Sequence, residues 1–213
     1  MIHGFAYDWK NQAIIWIDDY GISSKRLYYE MEQPKLYRTL DLDKDYPEAI
    51  TIDVKKRLIF WMNTGDGLER SINLPYIERI DIRGEPKTKK IVETNIVRPV
   101  GLAIDTRQKK VYWMDGLNFH STLNSIGYDG TNRIILREYL PYINELISMD
   151  IFSNYLYFTD KINSTIQRIN INNAVKKVDT LISVPNGPPT WIKIVNPMSM
   201  FWGEFFVFSF EEM

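Results

Sequence analysis

The chain has 213 residues, of which 45% are hydrophobic and 14% aromatic, enough for one domain with a buried core. Its formal net charge is −1 and its basic residues are scattered, so it lacks the electrostatic footprint of a nucleic-acid-binding protein. It has no cysteine, which excludes a cysteine nucleophile and by itself favours a reducing compartment.

Four aspartates recur along the chain, and each is followed eight residues later by an aromatic residue in a short apolar segment. The steps from one aspartate to the next are 45, 52 and 45 residues. The aspartates are Asp8, Asp53, Asp105 and Asp150, and the aromatics are Trp16, Trp61, Trp113 and Phe158. Each apolar segment ends in a polar residue, in turn Asp18, Asn63, Asp115 and Asp160. A period in this range indicates stacked supersecondary units.

Each unit begins with a predicted strand that ends at the aspartate, followed by a polar turn and the aromatic strand. A third strand and another turn usually come next. In the third unit, Tyr128 to Asn132 predicts a tight hairpin in which Asp129-Gly130 supplies the positive φ angles. Arg133 to Leu136 then predicts a fourth strand. Four short antiparallel strands per unit, without helical periodicity, predict an all-β fold built of propeller blades.

The repeated residues are expected to have structural roles. The four aromatics should fill the space between neighbouring blades, and burying one of them contributes roughly 1.5–3 kcal/mol. The paired polar positions should accept backbone N–H groups where strands turn. Their equal spacing in every unit argues against a metal site, which needs unlike ligands from a few blades.

Two segments resemble the Tyr-Trp-Thr-Asp motif of the six-bladed propellers in low-density lipoprotein receptor relatives. They are Val111 to Asp115 and Leu156 to Asp160, and the turn from Asp129 to Arg133 fits the same pattern. The resemblance covers about residues 2–195. It departs from the motif where the threonine is replaced and where the second unit ends in Asn63; the replacements are Ile17, Met62 and Met114.

This resemblance implies the last four blades, plus a closing strand, of a six-bladed YWTD-type β-propeller. The repeats are predicted at about residues 2–46, 47–97, 98–143 and 144–188, with the closing strand at 189–195. Residues 196–213 resemble nothing in the family and stay unassigned. A small ring of four or five blades is the alternative.

The resemblance also implies a non-enzymatic extracellular module of an endocytic receptor, active in ligand binding, uptake or acid-triggered release. Its partners would be lipoprotein or yolk-protein ligands and adjacent modules of the epidermal-growth-factor-like and ligand-binding kinds. The chain would then reach the plasma membrane and endosomes only through its parent receptor, because it shows no signal peptide or membrane-spanning run. An extracellular-matrix or signalling co-receptor propeller fits the same motifs.

Two residues are candidate sites on this basis. His120 lies in the loop after Asp115 and is a candidate pH switch, since histidine gains charge near pH 6. Asn163 begins an Asn-Ser-Thr sequon in the loop after Asp160 and is a candidate glycosylation site. Tyrosines outside the motif strands are candidate interface residues; they are Tyr28, Tyr29, Tyr37, Tyr139 and Tyr142.

No catalytic residue, metal ligand or cofactor is predicted, and the chain is expected not to be an enzyme. It has no His-x-x-x-His pair, no glycine-rich phosphate loop and no nucleophile elbow. Two other classes stay open. One is a metal-dependent propeller hydrolase, with carboxylates converging at a channel mouth. The other is an intracellular WD-type scaffold, whose Gly-His and Trp-Asp pairs are missing at the expected places.

Overall fold

A computed structural model describes residues 1–29, 31–41, 43–66, 72–116, 121–140, 148–173, 177–183 and 192. In these residues the chain forms four sheets, each a meander of four strands hydrogen-bonded in chain order. Sheet 1 contains β1 (Ile2–Asp8), β2 (Ala13–Asp18), β3 (Gly21–Arg26) and β4 (Lys35–Thr39). Sheet 2 contains β5 (Pro47–Asp53), β6 (Leu58–Asn63), β7 (Tyr76–Asp81) and β8 (Lys87–Val92).

Sheet 3 contains β9 (Pro99–Asp105), β10 (Lys110–Asp115), β11 (Ser121–Gly127) and β12 (Ile134–Leu140). Sheet 4 contains β13 (Met149–Phe152), β14 (Tyr155–Asp160), β15 (Thr165–Asn170) and β16 (Asp179–Ser183). The prediction of an all-β fold with four strands per repeat is confirmed. Each sheet lies within one predicted repeat. Of the predicted closing strand only Ile192 is described, and residues 196–213 lie outside the described residues.

The turn that follows the first strand is the same in the first three repeats. Asp8, Asp53 and Asp105 end β1, β5 and β9, and four residues separate each from the next strand. The last of those four residues has positive φ in every case, at Gln12 (50°), Arg57 (58°) and Lys109 (54°). A left-handed residue at this place lets the chain reverse directly into the antiparallel partner strand.

The fourth repeat departs from this pattern, which corrects the predicted strand end at Asp150. β13 continues past Asp150 to Phe152, and Ser153 (φ 56°) and Asn154 form the turn. Asp150 therefore pairs with Tyr157 inside the ladder, whereas Asp53 pairs with the first residue of its partner strand. A two-residue turn closes the hairpin here, so a constant sequence period does not mean a constant register.

The turn after β11 also differs from the prediction. Its positive φ angles belong to Gly130 (87°) and Asn132 (55°) rather than to Asp129 and Gly130. Asp129 instead accepts hydrogen bonds from the backbone N–H and the hydroxyl of Thr131, at 3.0 and 2.8 Å. The turn is therefore an aspartate-capped loop and not a two-residue hairpin.

The chain divides into two compact units, and the first contains residues 1–99 and 126–132. Its core joins one face of sheet 1 to one face of sheet 2. We call the face that carries the motif aromatic the aromatic face, and the face that packs on the next sheet the covering face. The covering face of sheet 1 consists of Ile15, Ile17 and Ile22, and the aromatic face of sheet 2 includes Ile50, Ile59, Trp61 and Ile80.

The second unit contains residues 100–125 and 133–213, and its core follows the same rule. The covering face of sheet 3 packs on the aromatic face of sheet 4. The first consists of Tyr112, Met114 and Leu123, and the second of Leu156, Phe158 and Ile169. Burial of the aromatic ring of Tyr112 raises its pKa to about 12. The alternation of apolar residues along β-strands thus gives two packing faces on one sheet.

The four motif aromatics are not equally buried. Trp61 and Trp113 are fully buried and Phe158 nearly so. Trp16 is only partly buried, although it has the same place in its repeat. The expectation that all four fill a space between blades stays a prediction, and Trp16 is the least buried of the four.

Candidate binding surface

The loop between β3 and β4 presents an exposed apolar surface in the first unit. Leu27, Tyr28, Tyr29 and Met31 are all exposed there, Tyr28 to 76% and Met31 to 95%. We call these four residues the loop patch. Together with Glu32 they border a hollow of about 670 Å³. Tyrosine and methionine are enriched in the centres of protein interfaces, so the loop patch has the composition of a protein-binding surface.

Arg26, the last residue of β3, holds the loop patch in place. Its guanidinium donates two hydrogen bonds to Glu32, at 2.8 and 2.9 Å, and lies 3.9 Å from the centroid of the Tyr29 ring. The hydrogen bonds from Arg26 hold the pKa of Glu32 below its usual value. The Leu27 N–H donates to the carbonyl oxygen of Gln12 at 2.8 Å. These contacts order the loop in advance, which lowers the entropic cost of binding.

A charged cleft of about 600 Å³ is lined by residues of sheets 1 and 2, at the end opposite to the loop patch. Its lining includes three basic and three acidic residues, which are Arg38, Lys44, Lys90, Asp41, Asp45 and Glu93. Lys44 donates to Asp41 at 2.8 Å, and the Lys90 ammonium lies 4.0 Å from the Tyr76 ring centroid. These charges compensate one another within the cleft, so it is a weaker candidate for a ligand site than the loop patch.

Tyr76 marks the floor of this cleft. Its hydroxyl donates to Asp45 at 2.6 Å, and its ring packs edge-on against Trp61 with the centroids 5.2 Å apart. Burial, followed by the hydrogen bond to Asp45, raises the pKa of Tyr76. The hydroxyl therefore stays protonated and acts as a donor rather than as a base.

The repeated aspartates connect neighbouring repeats in the first unit. One oxygen of Asp8 accepts the backbone N–H of Asn11 at 3.3 Å, and the other pairs with Arg57 of the next repeat. Asp53 accepts the backbone N–H of Lys56 at 2.9 Å and the hydroxyl of Tyr128 at 3.3 Å. Each buried carboxylate thus caps its own turn with one oxygen and receives a donor from the following repeat with the other.

Asp105 has only the first half of this arrangement. One of its oxygens accepts the backbone N–H groups of Arg107 and Gln108, at 2.8 and 3.1 Å. The other oxygen is buried and has no hydrogen-bond partner among the described residues. The missing donor agrees with the altered turn of the fourth repeat, where Ser153 takes the left-handed position that Arg57 has in the second.

The polar residues that end the second strands cap the turns that follow them. The Asp18 carboxylate accepts the backbone N–H of Tyr20 at 2.9 Å, and the Asn63 side-chain oxygen accepts that of Gly65 at 3.1 Å. The Asp160 carboxylate accepts the backbone N–H of Asn163 at 3.0 Å. Two other motif aspartates have different contacts. Asp150, in the first strand of its repeat, accepts the N–H of Ile151, and the Asp115 carboxylate lies 4.0 Å from the Arg133 guanidinium.

Glu78 on β7 is a buried residue that sequence reasoning missed. Its carboxylate accepts the Trp61 indole N–H at 2.9 Å and the Arg38 Nε–H at 3.2 Å. Arg38 belongs to sheet 1, so this contact links sheet 1 to sheet 2 beside the motif tryptophan. Trp113 differs, because its indole N–H has no hydrogen-bond partner among the described residues. No local pattern signals the Glu78 contact, since Arg38 lies 40 residues away.

The candidate sites from the sequence have different outcomes. His120 and Tyr142 lie outside the described residues, and so does the side chain of Tyr139. Asn163 is exposed, in the turn between β14 and β15, and its side-chain amide donates to Asp160 at 2.7 Å. Tyr37 is half-buried against the core of the first unit and accepts a hydrogen bond from Ser24. Tyr28 and Tyr29 are exposed and belong to the loop patch.

Within the described residues, no three histidine or acidic side chains converge closely enough to hold a metal ion. The same part of the chain contains no helix of the length and apolarity that crossing a membrane requires.

Sequence relatives exist among curated proteins, although no protein-family model matches the chain. Protein cueball of Drosophila willistoni is 28% identical over 168 residues, in an alignment that covers 75% of this chain and 24% of that protein. Protein cueball of Drosophila persimilis is 26% identical over 168 residues. The chain thus spans about a quarter of the length of the curated relatives it matches.

Solved structures share the fold. A nidogen/laminin complex has a chain with a TM-score of 0.56 and 21% identity, matched over 84% of this chain and 79% of that one. A gluconolactonase from Xanthomonas campestris has a TM-score of 0.62 and 12% identity, over 90% of this chain and 64% of that one. These likenesses show a β-propeller fold and confirm the predicted fold class. The number of blades in the intact protein stays a prediction.

The gluconolactonase corrects the prediction that the chain is not an enzyme. That prediction rested on the missing catalytic motifs and on the equal spacing of the aspartates, which argued against a metal site. An enzyme shares this fold, so a regular blade framework does not separate enzymatic from non-enzymatic propellers. The chemistry of a propeller is set by side chains and loops that the repeat pattern does not specify.

Proposed function

We propose that this chain is the propeller module of an extracellular binding protein and that the loop patch contacts a protein partner. The preordered, exposed aromatic loop is the observation that carries this proposal. The likeness to a chain of the nidogen/laminin complex supports it, because that propeller occurs in an assembly of extracellular proteins.

The energetics of the loop patch favour a protein partner over a small solute. Two tyrosines and a methionine lie next to one another on a loop that Arg26 already orders. Hot spots of binding energy are enriched in tyrosine, and truncation of one typically costs about 2 kcal/mol or more. Losing both tyrosines should therefore weaken binding at least about 30-fold, since 1.4 kcal/mol corresponds to a factor of ten.

A finer form of the proposal comes from the resemblance to low-density lipoprotein receptor relatives. In that form the chain belongs to an endocytic receptor, binds lipoprotein or yolk-protein ligands, and releases them in acidic endosomes with His120 as the pH switch. Adjacent epidermal-growth-factor-like and ligand-binding modules would complete the receptor. The exposed Asn163 would carry a glycan in that setting.

Binding of the secreted, purified chain to two immobilised probes, lipoprotein particles and laminin, tests the proposal. We expect saturable binding to one of them and its loss in the double variant Tyr28→Ser/Tyr29→Ser. Tyr20→Ser is the matched control, because Tyr20 is 75% exposed at the opposite end of β3. Binding that is absent for both probes, or equal in the two variants, would contradict the proposal. Uptake of a labelled ligand by cells that display the chain would separate the endocytic form from a matrix-binding form.

A further inference from the structure

The basic residues of the chain are scattered in the sequence, but the fold gathers five of them near one end of sheet 2. Leu58 and Asp81 pair at the ends of their strands, and the Ile82 N–H donates to the carbonyl oxygen of Arg57 at 3.0 Å. The turn between β5 and β6 therefore lies beside the turn between β7 and β8. Lys87, the first residue of β8, pairs with Asp81 in the same row. We call the five exposed basic residues of this region the lysine surface; they are Lys55, Lys56, Arg83, Lys87 and Lys89.

Three cations of the lysine surface lack an anionic partner. Lys55, Lys56 and Lys87 are exposed and form no ion pair with any residue that the structure describes. The other two residues have partners in neighbouring turns, and one more acid, Glu85, is exposed beside them. Those contacts run from Lys89 to the Asp129 carbonyl oxygen at 2.8 Å and from Arg83 to the Asp81 carboxylate. Five exposed basic residues thus meet three acidic ones, so this surface has an excess of positive charge, although the formal net charge of the chain is −1.

Acidic residues gather at the opposite end of the same compact unit. The Tyr76 hydroxyl donates to Asp45, and the Asn73 side-chain amide donates to the carbonyl oxygen of Asp43 at 3.0 Å. The connections before β5 and before β7 therefore meet there. The described connections of this end contain Lys44 and Arg98 but six acids, which are Asp19, Asp41, Asp43, Asp45, Asp66 and Glu93. The unit thus has one basic and one acidic end, and the field of such a distribution orients a polyanion towards the lysine surface.

Protection of a sheet edge does not explain the lysine surface. Lysines on an edge strand hinder edge-to-edge pairing, and two residues of the surface lie on the edge strand β8. The edge strands of the other three sheets instead expose aliphatic side chains, at Leu36, Ile135 and Leu181. The remaining three residues of the surface belong to turns, which have no edge to protect. The concentration of positive charge is therefore a property of sheet 2 and not of edge strands in general.

We propose that the lysine surface binds a sulfated polysaccharide of the glycosaminoglycan class. Val54 and Ile82, the apolar residues of the two turns, are buried, so the surface lacks the apolar centre of a protein interface. Neither turn contains an aromatic residue on which the bases of a single-stranded nucleic acid would stack. A ligand held by charge fits these features, and clusters of lysine and arginine are typical of heparin-binding patches. The choice of a polysaccharide over a nucleic acid also rests on the extracellular role proposed above.

The cations of the lysine surface follow one another across the sheet. Lys55 and Lys56 lie beyond the end of β5, Arg83 lies beyond the end of β7, and Lys87 begins β8. Neighbouring strands are about 4.8 Å apart, so the row from β5 to β8 extends over roughly 14 Å. Sulfate groups that recur along a linear polysaccharide can meet several of these cations at once. Each ammonium is a point charge on a flexible stem, so the surface selects charge density rather than one sequence of sugars.

Binding of heparin oligosaccharides to the purified chain, measured by titration calorimetry at several NaCl concentrations, tests this proposal. The test variant is Lys55→Gln/Lys56→Gln/Lys87→Gln, which removes three charges and no ion pair that we identify among the described residues. We expect the affinity of the parent chain to fall steeply between about 50 and 200 mM NaCl, because binding to a polyanion releases counter-ions. The variant should bind at least about tenfold more weakly and with a shallower salt dependence, because it makes fewer charge contacts.

The matched control is Lys44→Gln/Lys109→Gln/Lys177→Gln, which removes three exposed lysines elsewhere and gives the same net charge. Its affinity for heparin should stay within about twofold of the parent, because salt screens exposed charges that are more than a Debye length apart. Melting temperatures near that of the parent show that both variants fold. Equal weakening in the test variant and the control would mean that net charge governs binding, and would overturn the proposal. Absence of heparin binding by the parent chain at about 50 mM NaCl would also overturn it.

Two further probes distinguish the sources of negative charge. Polyglutamate presents carboxylates on a peptide, and oligothymidylate presents phosphates on a single-stranded nucleic acid. We expect both to bind the parent chain more weakly than heparin does at the same salt concentration. Equal or tighter binding of either probe would overturn the assignment of the lysine surface to a sulfated polysaccharide.

The Tyr28→Ser/Tyr29→Ser variant keeps this inference separate from the proposed function. It should bind heparin as the parent chain does, because the loop patch belongs to sheet 1; loss of heparin binding in this variant would overturn the assignment to the lysine surface. Binding of lipoprotein particles or laminin without binding of heparin would overturn the inference and leave the proposed function standing. Binding of heparin without either protein probe would support the inference and contradict the proposed function.

Discussion

Removal of the Arg38 guanidinium, by Arg38→Met, tests how strongly sheets 1 and 2 are joined. Arg38 Nε lies 3.2 Å from the Glu78 carboxylate, which is 5% exposed, and among the described residues Trp61 supplies the other donor to it. At an effective dielectric constant of about 20, two unit charges at this distance attract by roughly 5 kcal/mol, before desolvation is subtracted. Methionine keeps most of the side-chain volume and removes the charge.

We expect Arg38→Met to lower the free energy of unfolding by about 3 kcal/mol, because it leaves a buried carboxylate without its counter-ion. For a chain of this size, that corresponds to a fall in melting temperature of roughly 6–12 °C. The double variant Arg38→Met/Glu78→Gln should regain about 1–2 kcal/mol, because it removes the unpaired charge as well. Urea unfolding, monitored by tryptophan fluorescence, measures all three free energies.

The matched control is the exposed ion pair between Arg83 and Asp81, which is the last residue of β7, the strand that carries Glu78. Arg83 is 65% exposed and pairs with Asp81 at 2.5 Å, so Arg83→Met should cost no more than about 1 kcal/mol. If Arg38→Met costs less than about 0.5 kcal/mol, in the range of ordinary surface substitutions, the buried pair does not hold the sheets together. A double variant less stable than Arg38→Met alone would equally refute the reasoning.

Three further predictions concern pH, backbone strain and glycosylation. The hydrogen bond from Arg83 lowers the pKa of Asp81 to about 2, so the stability of this pair is present above pH 3.8 and lost as pH falls through 2. Arg83→Met should move the Asp81 titration up toward 3.8 in carboxyl ¹³C NMR; an unmoved titration would exclude Arg83 as its cause. Gly130→Ala should lower the free energy of unfolding by about 1–2 kcal/mol, because φ is 87° and the new Cβ would lie 3.2 Å from a backbone oxygen. An unchanged midpoint of thermal unfolding would mean that the turn rearranges freely. When the chain is secreted from insect cells, the Asn163→Gln variant should carry one glycan fewer than the parent chain and migrate faster in a gel. Identical migration of the two would show that Asn163 is not glycosylated.

The local architecture could be predicted from the sequence because its causes are local. An aspartate, a four-residue turn and an aromatic strand place a turn cap and a hairpin within 11 residues of one another, as from Asp8 to Asp18. Period-2 alternation and the repeated polar ends specify strands and their limits. The same reasoning failed at Asp150, because the two-residue turn at Ser153 shifts the register without changing the spacing of the motif.

The sequence predicted only part of the candidate binding surface. Tyr28 and Tyr29 were predicted as interface residues because they are tyrosines outside the motif strands. The exposure of Met31 and the ordering role of Arg26 depend on the conformation of the loop and could not be predicted. The charged cleft brings together residues from several turns, and only the fold shows that its charges compensate one another.

By itself, the sequence determined the four-strand repeat, its period and the positions of its turn-capping aspartates, since each rests on residues close together in the chain. Tertiary structure alone decided which equivalent residues are buried. Trp61 meets the covering face of sheet 1 and Glu78, whereas Trp16, with the same local sequence logic, remains partly exposed. The contact of Tyr128 with Asp53 spans 75 residues, and no periodic pattern encodes it. Burial depends on which sheet packs against a face, and this is a property of the folded assembly rather than of the motif.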